Sequence, residues 1–157
     1  MTEQIIVFTD GSHIKGTNKC GYGIYFPNKE LPNVSRSFDH PPITHQRAEL
    51  YAIFKAIYYI TKKLTVNKII IYTDSKYSMD SLTVWIKKWK KNNWKTVTGS
   101  PVKNVDIIRE IDNQMSNFKG KIEFIHVPAH TNKQDFLSIS NHMADVLAKA
   151  GANSKKD

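Results

Sequence analysis

Ile5-Ile6-Val7-Phe8-Thr9-Asp10-Gly11-Ser12 and Ile69-Ile70-Ile71-Tyr72-Thr73-Asp74-Ser75-Lys76 are near copies of one another. Each is an apolar, β-branched run that closes on Thr-Asp and small turn residues. Unbroken apolar runs of this length suit strands covered on both faces, as in parallel sheets flanked by helices. Both aspartates are then predicted at carboxyl ends of strands, the edge where open α/β sheets bind ligands. As parallel neighbours the strands would hold the two carboxylates about 4.8 Å apart. Hard divalent cations are the natural guests of such a pair.

Working outward, the pattern predicts strands over 4–10, 21–27 and 34–39, the last polar and at an edge. The glycine-rich and polar stretch from Ser12 to Cys20 reads as a hairpin connection. After Pro41-Pro42, Thr44 suits an N-cap for an apolar helix to about Lys63, with Arg47 where a capping-box Glu would otherwise stand. The second twin gives a strand over 67–74, followed by short helices over 76–82 and 84–91. Pro101 suits the first turn of a helix over 101–117. A last strand runs from Lys121 to Val127, and a closing helix from about Ser140 to Gly151. Three early strands followed by alternating helix and strand predict an α/β fold, a mixed sheet flanked by helices.

The 157 residues, 40% of them hydrophobic, suffice for one core and hardly for two. One domain over 1–152 with a frayed tail over 153–157 is expected. No run approaches the roughly 18 consecutive apolar residues of a transmembrane helix. Met1-Thr2-Glu3-Gln4 lacks the basic, then apolar, start of a signal peptide. A soluble protein of the cytoplasm or nucleus, monomeric and without membrane partners, is expected. The lone Cys20 has no disulfide partner in the chain and reads as a packed small residue.

The formal charge of +9 predicts attraction to polyanions. Lysines concentrate in Trp85-Ile86-Lys87-Lys88-Trp89-Lys90-Lys91-Asn92-Asn93-Trp94-Lys95, among all three tryptophans. Ammonium groups suit phosphates, and indole faces suit sugars or bases. Trp85 and Trp89, four residues apart, equally fit a helix face packed on the core.

Two further acids stand in apolar helical surroundings. Glu49 lies among Ala48, Leu50, Tyr51 and Ile53, and Asp145 within Asn141-His142-Met143-Ala144-Asp145-Val146-Leu147-Ala148. Either acid alone also reads as a solvated charge or a helix-dipole partner.

Together these segments resemble the type 1 ribonucleases H over Ile5 to about Ala152. The motifs are Phe-Thr-Asp-Gly-Ser, Thr-x-x-Arg-Ala-Glu-Leu, Tyr-Thr-Asp-Ser-x-Tyr, Trp-x-x-x-Trp-Lys-x-x-x-Trp-Lys, Pro-Val-Lys-Asn-Val-Asp, His-Val-Pro-x-His and Asn-x-x-Ala-Asp-x-Leu-Ala, in that family's order. The resemblance implies a ribonuclease H-like fold, a five-stranded mixed sheet with helices on both faces. It implies an endonuclease that cuts the RNA strand of RNA/DNA hybrids, leaving 5′-phosphate and 3′-hydroxyl ends. It also implies that Asp10, Glu49, Asp74 and Asp145 bind two magnesium ions, with manganese as a substitute, Asp10 bridging both. By the same analogy Asp145 helps hold the ion that activates the attacking water, and Glu49 and Asp74 hold the ion at the leaving oxygen. His130 matches a mobile-loop histidine that moves protons or assists product release. His126, on the strand, reads instead as packed and hydrogen-bonded.

The same resemblance assigns RNA-side contacts to Gly11, Ser12, His45, Gln46 and Glu49, where 2′-hydroxyls distinguish RNA from DNA. Thr44 and Asn104 correspond to a DNA-phosphate pocket, although Asn104 equally fits a turn or cap. Trp85, Lys87, Lys88, Trp89, Lys91, Trp94 and Thr96 correspond to a basic protrusion that grips the DNA strand. Departures include Pro42 for a basic phosphate ligand, His45 for Asn, Ala129 for Gly, Asn93 for Gly, and a lengthened loop over 132–139. Two other classes share parts of the pattern: a DNA nuclease of the same fold, resolvase or integrase-like, and a non-catalytic hybrid-binding module.

Overall fold

The computed structural model describes residues 2–129, 131 and 133–154. Five strands form one mixed sheet in the order β3-β2-β1-β4-β5. They are β1 Thr2–His13, β2 Cys20–Tyr25, β3 Val34–Ser37, β4 Val66–Thr73 and β5 Lys121–His126. The twin runs pair in parallel as neighbours, with Ile5 opposite Ile69 and Thr9 opposite Thr73. β2 and β3 return antiparallel on one side, and β5 adds in parallel on the other.

The helices are α1 His45–Lys63, α2 Lys76–Asp80, α3 Ile86–Lys91, α4 Val105–Asn117 and α5 Phe136–Ala152. α1 and α5 cover opposite faces of the sheet. Gly11 of β1 abuts α1, where an added Cβ would lie 2.5 Å from Glu49 N. Gly23 of β2 abuts α5, where an added Cβ would lie 2.6 Å from both Ala144 O and Ala148 N. The core between sheet and α1 includes Ile5, Val7, Ile24, Leu50, Ile53, Ile57, Ile69 and Ile71, all essentially inaccessible. Cys20 is buried as expected. Among the described residues, no helix is long and apolar enough to cross a membrane.

Four local expectations are corrected. β1 does not stop at Asp10: it runs to His13, because residues 10–13 find a second partner in β2, with Asp10 opposite Gly23. Asp74, by contrast, does follow the last residue of its strand. Pro101 does not open a helix. It forms an isolated bridge with Lys95, and α4 starts at Val105 after Asn104, whose φ of 61° is left-handed. α5 begins four residues early, at Phe136, because Asp135 caps it through Ser138 N, so 136–139 are helix rather than loop. The two short helices after β4 join through a π-helical turn, Ser81–Trp85, a local insertion often found near functional sites.

Candidate active site

The end of the β1–β4 pair organises the acids. Register places Thr9 beside Thr73, so Asp10 and Asp74 follow on adjacent strands. α1 begins at His45 with Thr44 as N-cap, its hydroxyl accepting from Arg47 N at 3.2 Å. That start puts Glu49 on the first full turn, directly over Gly11. Only a residue without a side chain allows Glu49's backbone so close. α5 brings Asp145 from the other face of the sheet. Asp10, Gly11, His45, Gln46, Glu49, Asp74, Ser75, Ala129 and Asp145 line one cavity of about 210 Å³. All four predicted acids therefore share one cleft.

Three of them are buried: Asp10 is 3%, Glu49 2% and Asp145 9% exposed. Burial and the neighbouring Glu49, Asp74 and Asp145 charges push the Asp10 carboxyl far above the usual range. Burial foremost also raises Glu49, offset in part by hydrogen bonds from Asp10 and the Gly11 backbone. Ligand atoms of Asp10, His45 and Glu49 lie within 4.8 Å of one another. Glu49 Oε2 is buried without a hydrogen-bond partner. An orphaned carboxylate oxygen beside a second buried acid is costly in a closed protein and inexpensive beside a cation. The carboxylate oxygens of Asp10, Glu49, Asp74 and Asp145 suit a hard divalent ion, so these residues fit such a group.

Around the acids, side chains fix their positions. Asn141 Nδ2 donates to Asp74 Oδ2 at 3.2 Å, and Asp145 Oδ2 pairs with Lys149 Nζ at 3.0 Å. His45 turns inward, its Nε2 2.9 Å from both Gly11 O and Glu49 Oε1, although most of its side chain is exposed. His126 is exposed rather than packed, its Nε2 3.3 Å from Asp74 O, because β5 ends beside β4 at the open edge. His130 lies outside the described residues.

The second cluster joins α1, α2 and α4. Arg47, 3% exposed, forks onto Asp106 with two 2.8 Å bonds and also reaches His40 O, Pro41 O and Asn104 Oδ1. Asn104 in turn donates to Tyr77 Oη at 3.0 Å. Its side chain is thus engaged within the protein, and it makes no cap bond to α4. Tyr77 packs edge-on against Trp85, and Trp85 against Trp89, carrying the frame into the basic segment. There Lys87, Lys88 and Lys91 are exposed, Thr96 is half-buried, and Trp89 and Trp94 lean on the core. Trp85 is 38% exposed, and Asn93 and Trp94 both take left-handed backbone. Sequence reasoning gave no role to Asn141, Arg47 or Tyr77. Each lay within a quoted motif, but its partner is 27 to 67 positions away in the chain.

Comparison with known proteins identifies the family. A family model described as RNase H matches residues 2–153. A "Probable ribonuclease H" of Acanthamoeba polyphaga mimivirus is 45% identical over 134 residues, 84% of this chain and 58% of that protein. The chain spans little more than half the length of this and several other curated relatives. A "Ribonuclease H" of Actinobacillus pleuropneumoniae is 36% identical over 94% of this chain and 89% of its own length. Among solved structures, a foamy viral protease–reverse transcriptase in complex with dsDNA superposes with a TM-score of 0.76 at 25% identity, covering 95% of this chain and 94% of that one. With a family model matched over nearly the whole chain and a relative 36% identical along most of both lengths, the chain belongs to the RNase H family.

Proposed function

We propose that the chain is an endoribonuclease that hydrolyses the RNA strand of RNA/DNA hybrids with magnesium ions held by Asp10, Glu49, Asp74 and Asp145. The observation that carries this reading is the buried Asp10–Glu49 pair, with Glu49 Oε2 unpartnered, in a cleft that Asp74 and Asp145 complete. The relative from Actinobacillus, matched along nearly its whole length, supports it. Bound at such a site, magnesium supplies Lewis acidity for activating water and for neutralising charge on the leaving oxygen.

The chain's own residues contribute position and charge. Asp10 and Glu49 would hold the ion as carboxylates, and without it burial and neighbouring acids raise their affinity for protons. Asn141 holds one Asp74 oxygen, and Lys149 steadies Asp145. Gly11, His45 and Gln46 border the cleft and, with Ser12 next along β1, suit the 2′-hydroxyl side of a hybrid. Thr44 and Asn104, braced by Arg47, suit a DNA-strand phosphate. The stretch from Trp85 to Thr96 suits the DNA backbone beyond. His130 is proposed to move a proton or aid product release.

The test is a labelled-hybrid assay in magnesium and in EDTA, on the parent and Asp10→Asn, with DNA duplex and four-way junction as controls. Cleavage of the RNA strand only, lost in EDTA and in Asp10→Asn, is expected. Metal-independent cleavage, an unimpaired Asp10→Asn, or preference for the DNA controls would overturn it.

A further inference from the structure

At the end of α1 remote from the acids, Lys55, Tyr58, Tyr59 and Lys62 share one helical stripe at i, i+3, i+4 and i+7. Lys55 Nζ stands 4.7 Å from the Tyr58 ring centre and 5.0 Å from that of Tyr59. Lys62 Nζ lies 5.2 Å over the Tyr58 ring and donates to its Oη at 2.9 Å. Most other lysines with a fixed geometry in the structure are matched to carboxylates, as in Lys68–Glu123, Lys76–Asp80, Lys90–Asp112 and Lys149–Asp145. Among the described residues, Lys55 and Lys62 make no such pair. They are oriented by rings and a phenol, which attract the ammonium without cancelling its charge.

That arrangement favours phosphate. A free lysine loses rotamer freedom when it binds an anion, and here part of that cost is met in advance. Beside Tyr58 lies a groove of about 520 Å³ lined by Thr61, Leu64, Phe118 and Lys119, a volume within the range of small-molecule sites. Among the described residues, Tyr58 is the one large apolar side chain exposed on this face, with Leu64 and Phe118 half-buried in the groove, so the face offers a ring to a base rather than a protruding apolar anchor to a lipid surface. Lys62 stands thirteen residues, about 20 Å, along α1 from Glu49. The surface is therefore distinct from the cleft.

We propose that this face is a second nucleic-acid contact that takes a single strand, with phosphates on Lys55, Lys62 and Lys119 and a base against Tyr58. It would hold an unpaired strand while the cleft works on a duplex.

The experiment measures binding of a short fluorescent oligo-dT to the full chain in EDTA, by anisotropy over a salt series, for the parent, Lys55→Gln/Lys62→Gln, Lys62→Arg and Tyr58→Leu. The double variant should bind about tenfold more weakly at low salt, with the log–log salt slope reduced by about 0.7 per lysine. Lys62→Arg, which keeps the charge, should bind like the parent, and Tyr58→Leu should lose affinity without losing slope. Unchanged affinity and slope in the double variant would overturn the proposal. So would a loss confined to heparin or phosphatidylserine vesicles offered in place of the oligonucleotide. Cleavage of a short blunt hybrid, run in parallel, should be the same in parent and double variant. An inactive parent that still showed the binding change would overturn the proposed activity and leave this surface standing.

Discussion

Asn141 of α5 donates its amide proton to Asp74, the residue that follows β4, and so ties helix to strand across the cleft. It is 4% exposed, and its own Oδ1 has no partner. The amide has no other visible task than aiming one carboxylate oxygen. Hydrogen bonds to charged groups contribute about 1.5–3 kcal/mol. Asn141→Ala should accordingly lower kcat/KM on a labelled hybrid by roughly ten- to a hundredfold, with the melting temperature lower by several degrees.

Buried acids with raised pKa values bind protons in the folded state that the unfolded chain has already released. From about pH 4 upward, stability without metal should therefore fall as pH rises. Asp10→Asn removes the largest contributor. In EDTA its melting temperature should exceed the parent's, by a margin that widens between about pH 5 and 9. Magnesium should raise the parent's melting temperature, more at higher pH, and the variant's much less. Differential scanning fluorimetry across pH, with and without magnesium, checks both signs.

The fork of Arg47 onto Asp106 holds the Asp106 carboxyl below its ordinary range, chiefly through that hydrogen bond. A depressed carboxyl contributes stability above its unfolded pKa that is lost as pH falls through the folded value. Arg47→Met should flatten the acid limb of the stability curve below about pH 4. Because His40 O and Pro41 O lose a donor as well, it should also cost about 1–3 kcal/mol at neutral pH, read by urea unfolding.

Lys87 and Lys88 project from α3 with no carboxylate partner among the described residues. If they neutralise DNA-strand phosphates, Lys87→Gln/Lys88→Gln should weaken binding to hybrids of every sequence alike. The slope of log affinity against log salt should shrink by about 0.9 per lysine on a B-like duplex. Fluorescence anisotropy with catalytically silent Asp10→Asn as the background reads this directly.

The parallel pair and the core were legible because apolar runs are local signals, and the Asp10–Asp74 pair because both runs close on Thr-Asp; Glu49 and Asp145 joined them only through the resemblance of motifs. Asp10's place inside β1 was not legible, since only pairing with β2, across the connection at residues 14–19, shows that the strand continues. Pro101 misled because its preference for a helix start is also satisfied by a bridge to Lys95. The true start of α5 was masked by exposed Phe136, Leu137 and Ile139, apolar residues on the outer face of a helix end. His126 fooled the pattern at the sheet edge, where a strand-end histidine meets solvent. Asn141 and Tyr77 act on residues far along the chain, a relation no window of sequence contains.

Directly across the ladder from Asp10 stands Gly23, and over Gly23 lies the α5 backbone at Ala144, one residue before Asp145. The gap between the first and last acids of the cleft is thus a caliper set by a strand that contributes no acid at all. Screens for inactive variants should recover Gly23 beside the carboxylates, and transplanting the four acids onto another sheet would fail unless the missing side chain were transplanted with them.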